Sequence, residues 1–269
     1  MSMKTSVVVA DGTFPTATAP LLGQVDTVFR QAAALGYDAV SITVNHPKDV
    51  NVDEILSAMK TYGVAVSGLA TGRICGADGY SISSAEEENR LEAVERILGH
   101  IDICAKLNAK LIIGTVRGRI QVAGNWNTYE TQFRKSMDEI LTHAESKCVK
   151  VMLEAMSELD GDTYQTMAQA GDCVRSFHSP ALQLQIDTMH LAYNKEDFYH
   201  DILKYGDLLG QGDISNPDRM VPDGSKFDFP LLIQALKEVN FDGYLLSEFR
   251  AAPPENAAKV GLEYIKSLM

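Results

Sequence analysis

The chain has 269 residues, is 45% hydrophobic and carries a formal net charge of −12. Its length and apolar content suffice for one large core, and its acidity argues against a nucleic-acid partner. The N-terminal stretch MSMKTSVVVADGT has an apolar run too short for a secretory signal, and no run approaches a membrane span. A cytoplasmic protein with no membrane partner is expected.

Strand-like and helix-like segments alternate from end to end. SVVVA (6–10) is the first predicted strand, followed by a loop (11–20) and an amphipathic stretch over about 20–35. DAVSITV (38–44) and VAVSGLA (64–70) are the second and third strands, with the helix VNVDEILSAMKTYG between them. The polar loop TGRICGADGYSIS leads to a long helix from about Ser84, where Ser84 and Glu87 have capping-box spacing. KLIIGTV (110–116) is the fourth strand, RGRIQVAGNWN its loop, and 128–147 the next helix. Strands five to eight are VKVMLEA, LQLQIDTMH, DLLGQGDIS and GYLLSEF, with helices near 160–176, 195–205, 228–239 and 254–268. Eight strand–helix units without a linker predict a single-domain α/β chain over 1–269, a closed (β/α)8 TIM barrel. Cys75, Cys104, Cys148 and Cys173 lack CxxC spacing and read as free thiols of a reducing compartment.

Glu154, Asp187, Asp213 and Glu248 end the last four strands, 33, 26 and 35 residues apart. Gln183, Gln185 and Asp187 share a strand face, as do Gln211 and Asp213, and Leu246 and Glu248. One face packs on helices; the other points into the barrel and carries polar groups toward the carboxyl ends of the strands, where such barrels place their chemistry. Four like charges in register repel one another unless a cation neutralises them. An all-oxygen set favours one hard divalent ion, Mn²⁺ or Mg²⁺, over structural zinc.

His190 lies three residues beyond Asp187, and Arg219 lies in the Pro-, Asp- and Gly-rich loop after strand seven. Both are candidates for binding substrate over the barrel mouth. His46 could line the mouth as well, whereas His100, His143, His178 and His200 fall in or beside helices and read as structural. Arg117, Arg119 and Arg250 also follow strand ends, as solvated loop residues or as counter-charges to the acidic centre.

Glu154, the IDTMH segment, the NPDR…PDGS…FDF loop, SEF at strand eight and ENR…A…IDICAKLNAKLIIGT together resemble the sugar-phosphate isomerase/epimerase group. That group is built on the xylose isomerase-like barrel and includes ketose 3-epimerases and hydroxypyruvate isomerases. The resemblance implies a metal held by residues at the positions of Glu154, Asp187, Asp213 and Glu248, with Glu154 and Glu248 as acid and base. It also implies substrate contacts from His190 and Arg219, with Gln211 as companion and Asp160, or else Glu158, standing for a glutamate of the group. Strand seven departs from the pattern: Gln211-Gly212-Asp213 stands where His-x-His or His-x-Gln is usual.

These readings describe a metal-dependent isomerase or epimerase of a small keto-sugar or sugar phosphate, acting by proton abstraction through an enediolate. A lyase on the same site, either a dehydratase or a C-glycoside-cleaving enzyme, would need the same first step. A non-catalytic sugar-binding protein also fits the altered strand seven. A DNA-repair endonuclease of this fold would need a histidine-rich site that the chain lacks. The expected partner is a small carbohydrate; assembly as a homo-oligomer is compatible with the sequence.

Overall fold

The computed structural model describes residues 3–10, 18–252 and 256–269. Most of the loop expected over 11–20, and the first two residues of the helix expected from 254, lie outside them. Eight parallel strands follow one another around the sheet: Lys4–Ala10, Ala39–Thr43, Ala65–Ala70, Lys110–Ile113, Val151–Glu154, Leu182–Asp187, Leu209–Ile214 and Tyr244–Ser247. The eighth pairs back onto the first, Ser6 opposite Leu246, and this closes the barrel. A two-residue strand, Leu21–Leu22, sits beside the end of the first.

Helices Val25–Leu35, Val52–Tyr62, Glu87–Leu107, Trp126–Ser146, Met167–Ser176, Phe198–Tyr205, Phe229–Glu238 and Ala257–Leu268 form the outer layer. Their starts are set by local chemistry. Asn51, Asn125, Thr166, Asp197 and Asp228 each accept a backbone N–H of the first turn. Thr166 and Gln169 form a complete capping box. The box expected at Ser84 does not form. Ser84 Oγ accepts the N–H of Glu86, the helix begins at Glu87, and the Glu87 carboxylate is taken by Arg90 and Lys135.

Two apolar regions result. The larger joins outward strand residues, such as Leu111, Val151, Leu184 and Ile186, to the buried helix stripes. A small one, Val8, Ala10, Ala19 and Leu246, is separate from it. Hydroxyls and amides accompany these residues on the inward face: Ser6 and Ser67 are 2.7 Å apart, and Gln185 and Gln211 are almost wholly buried. The polar loop after the third strand contains a helix, Gly72–Asp78, and the expected sixth strand ends at Asp187 and turns into a second, Thr188–Asn194.

Candidate active site

Strand register places the carboxylates side by side. Asp187 and Asp213 are directly paired across the sixth and seventh strands, with Gln185 opposite Gln211 one step below. Like charges in such a pair destabilise a sheet, so their burial needs compensation. Each Asp213 oxygen accepts an amide: Gln185 Nε2 donates to Oδ2 at 2.7 Å and Gln211 Nε2 to Oδ1 at 3.0 Å. Asp187 caps the short helix after it, with Oδ1 accepting the N–H of Met189 at 2.7 Å. Glu154 closes the fifth strand. The bare Cα of Gly114 gives it room, since a side chain there would come within 2.7 Å of its carboxylate. Glu248 follows the eighth strand and accepts Thr18 Oγ1 at 3.2 Å. Oxygen or nitrogen atoms of Glu154, Asp187 and His190 all lie within 4.8 Å of one another, as do those of Asp187, Asp213 and Glu248. Asp187 belongs to both groups, so Glu154 and Glu248 flank it.

This crowding raises proton affinity. Burial, then the charges of Glu248 and Asp187, push the Glu154 carboxyl well above the usual carboxylate range. Asp213 is pushed up by burial and by Glu248, Glu154 and Asp187. Glu248 is raised by burial, against the opposing pull of Arg219. Arg219 is the resident counter-charge, with Nη1 2.6 Å from Asp187 Oδ2 and 3.2 Å from Glu248 Oε2. Burial works against its charge, but the carboxylates outweigh that and hold it firmly protonated. Its backbone is left-handed, φ 60°, at the close of the Asn216–Arg219 turn, a conformation costing about 1–3 kcal/mol away from glycine. That turn sends the guanidinium back over the barrel mouth.

His190 is 2% exposed. The backbone N–H of Ser157 points at its Nδ1 at 3.2 Å, with Ser157 Oγ at 2.9 Å. A backbone N–H can only donate, so Nδ1 is the acceptor and the proton of the neutral ring sits on Nε2. Burial favours that neutral form. Nε2 lies 3.8 Å from Glu154 Oε1 and 3.6 Å from Asp160 Oδ2. Above these groups opens a cavity of about 510 Å³, lined among others by Glu154, Asp160, His190, Arg219, Glu248 and Thr115. A second cavity of about 320 Å³ lies beside it, shares Thr43 and Arg73 and contains none of the four carboxylates; His46 lines that one.

The family model described as a xylose isomerase-like TIM barrel matches residues 29–268. The chain belongs to the xylose isomerase-like family. Among curated relatives, a 3-dehydro-D-guloside 4-epimerase of Escherichia coli (strain K12) is 24% identical over 254 residues, 89% of this chain and 93% of that protein. A ketose 3-epimerase of Arthrobacter globiformis is 23% identical over 221 residues, 79% of this chain and 73% of the relative. The solved apo structure of a 3-keto-D-glucoside 4-epimerase from E. coli superposes with a TM-score of 0.81 at 20% identity, covering 99% of this chain and 100% of that one. At that identity the structural likeness speaks for the fold, and the curated relatives are sugar epimerases.

Within this xylose isomerase-like barrel, the donor set fits a hard divalent cation. Carboxylate oxygens converge, and the buried Asp187 Oδ2 already faces one cation, the guanidinium of Arg219. Glu154, Asp187, Asp213, Glu248, His190, Arg219 and Asp160 are brought together as the sequence anticipates. Asp187, Asp213 and Gln211 are not among the residues that line the cavity; the two aspartates join the cluster through Glu154, His190 and Glu248, and the Gln211 amide donates to Asp213. The sequence reading missed Gln185, although its parity with Asp187 signalled an inward amide, and Ser157, for which no signal exists. Arg117, grouped with the loop arginines, is fully buried, whereas Arg250 is exposed.

Proposed function

We propose that the protein is a divalent-metal-dependent epimerase that inverts a carbon next to the ketone of a small keto-sugar. The observation carrying this reading is the pair of glutamates, Glu154 and Glu248, that line one cavity and each cluster with the buried Asp187. Both curated relatives are named for inverting a carbon that can neighbour a carbonyl, C3 of a ketose or C4 of a 3-dehydro-sugar.

Glu154, Asp187, Asp213 and Glu248 would hold the ion, Mn²⁺ or Mg²⁺ by ligand chemistry. It would supply Lewis-acid stabilisation of the negative charge developed on the sugar oxygens. The chain's own groups do the rest. One glutamate takes the proton from carbon, the electron pair moves onto the carbonyl oxygen, and the other glutamate, protonated, returns a proton to the opposite face. The Nε2–H of His190 and the guanidinium of Arg219 donate to substrate oxygens, and Asp160 accepts a hydroxyl. Gln185 and Gln211 orient Asp213. The net charge of −12 and the carboxylate-rich site support a sugar over a nucleic acid.

Incubation with ketohexoses and 3-keto-glucosides in heavy water, with and without Mn²⁺, tests the reading. Metal-dependent deuterium uptake at the carbon beside the ketone is expected, with the epimer as product. Glu154→Gln and Glu248→Gln should each lose about 10²–10⁴-fold in turnover with the fold intact. Less than tenfold loss in either variant would remove that residue from proton transfer. A dehydrated product would reassign the site to a lyase.

A further inference from the structure

Arg117 is buried without a carboxylate partner among the described residues, an expensive arrangement for a guanidinium. It follows the fourth strand in the turn Thr115–Arg117. Its two terminal nitrogens diverge: Nη1 donates to the carbonyl of Glu154 and Nη2 to the carbonyl of Thr163. These carbonyls bracket residues 155–162 of the loop after the fifth strand, Glu154 closing the strand and Thr163 standing three residues before the Thr166 cap. One rigid fork therefore spans the neck of that loop. The loop carries Ser157, which holds His190 Nδ1, and Asp160, which faces His190 Nε2. Inside the loop, the N–H groups of Asp160 and Gly161 turn back onto the carbonyl of Ser157 at 3.1 and 2.9 Å. Gly161 is packed so closely on the fork that a Cβ there would lie 2.9 Å from Nη2. Tyr129 buttresses the same end through Thr163 Oγ1 at 2.9 Å.

We propose that Arg117 is a positioning residue: by clasping the loop neck it seats Ser157 against His190 and so fixes His190 as a donor from Nε2 toward the cavity. The functional weight of this device rests on the epimerase reading, because only then does His190 meet a sugar oxygen. The device itself is a statement about ring tautomer and loop order, independent of turnover. A buried cation suits the task because both acceptors, the carbonyls of Glu154 and Thr163, are neutral and no charged partner competes for the fork. Lysine, with a single ammonium, cannot span both carbonyls.

The test uses full-length protein with ring-¹⁵N histidine, in which His190→Gln assigns the resonance. In the wild type, His190 should show one tautomer, protonated on Nε2. Arg117→Met should give a mixture of both tautomers, and amide exchange across 155–163 should quicken at least tenfold while the barrel strands are unchanged. Arg117→Lys should fall between the two. Should Arg117→Met not fold, Gly161→Ala perturbs the fork from the other side without altering charge, and it should shift the tautomer mixture in the same direction. A single Nε2–H tautomer and unchanged loop exchange in the folded variants would overturn the proposal. With D-tagatose as probe in the presence of Mn²⁺, Arg117→Met should raise KM about tenfold or more with a smaller change in kcat. An equal loss in kcat at unchanged KM would contradict the positioning role. Absence of turnover in the wild type would count against the epimerase reading, while the resonance and exchange data would still decide the clasp.

Discussion

Asp213 places a carboxyl, almost wholly buried, at the end of the seventh strand. Two glutamine amides meet it from below, and their own carbonyl oxygens, Gln185 Oε1 and Gln211 Oε1, are buried without a hydrogen bond. That is a costly way to hold one carboxylate, and it orients both Asp213 oxygens. If Asp213 is a ligand and Gln185 its orienting neighbour, the two should differ in a Mn²⁺ titration. Gln185→Leu should weaken binding by roughly 10–100-fold, as removal of groups behind metal ligands commonly does. Asp213→Ala should weaken it more. The reverse order would make Gln185 the ligand-side residue and Asp213 its support.

At the level of elements, helix Glu87–Leu107 buries His100 completely against the loop after the second strand. His100 Nε2 lies 3.1 Å from the carbonyl of Asn45, and burial holds its pKa down to about 4. The unfolded ring titrates near 6.5. Above that value both forms are neutral and the full stability is present. As pH falls from about 6.5 toward 4, only the unfolded chain gains the proton, and about 2 kcal/mol is lost by pH 5. Urea midpoints measured at pH 7.5 and 5.0 should therefore fall for the wild type and fall less for His100→Gln; equal slopes would exclude this histidine as the source.

Elements of strong period were legible in the sequence, because alternation of two and spacing of 3.6 survive any tertiary context. Strand parity also brought Asp187 and Asp213 to one face. Short helices were not legible. Thr188–Asn194 continues an apolar run past Asp187 with no glycine or proline to mark the change, so TMH read as strand. The Ser84–Glu87 pair failed as a box because Arg90 and Lys135 offered Glu87 stronger, charged partners. Arg117 looked like Arg119 and Arg250 because burial of a loop arginine depends on carbonyls some 40 residues away, which no local pattern encodes.

Across the whole molecule, closure of the eighth strand onto the first turns four sequence-distant carboxylates into neighbours. The outer helices bury the opposite faces of the same strands, so the site stands on strands packed against the main core. No helix among the described residues is long and apolar enough to cross a membrane. Four carboxylates around one mouth, balanced in part by Arg219, leave an excess of negative charge that a divalent ion would neutralise. Calorimetric titration of chelator-stripped protein with Mn²⁺, beside Asp187→Ala checked for fold by circular dichroism, addresses that claim most directly. The wild type should bind one ion per chain and the folded variant none; undiminished binding in the variant, or none in the wild type, would contradict a metal centre at these strand ends.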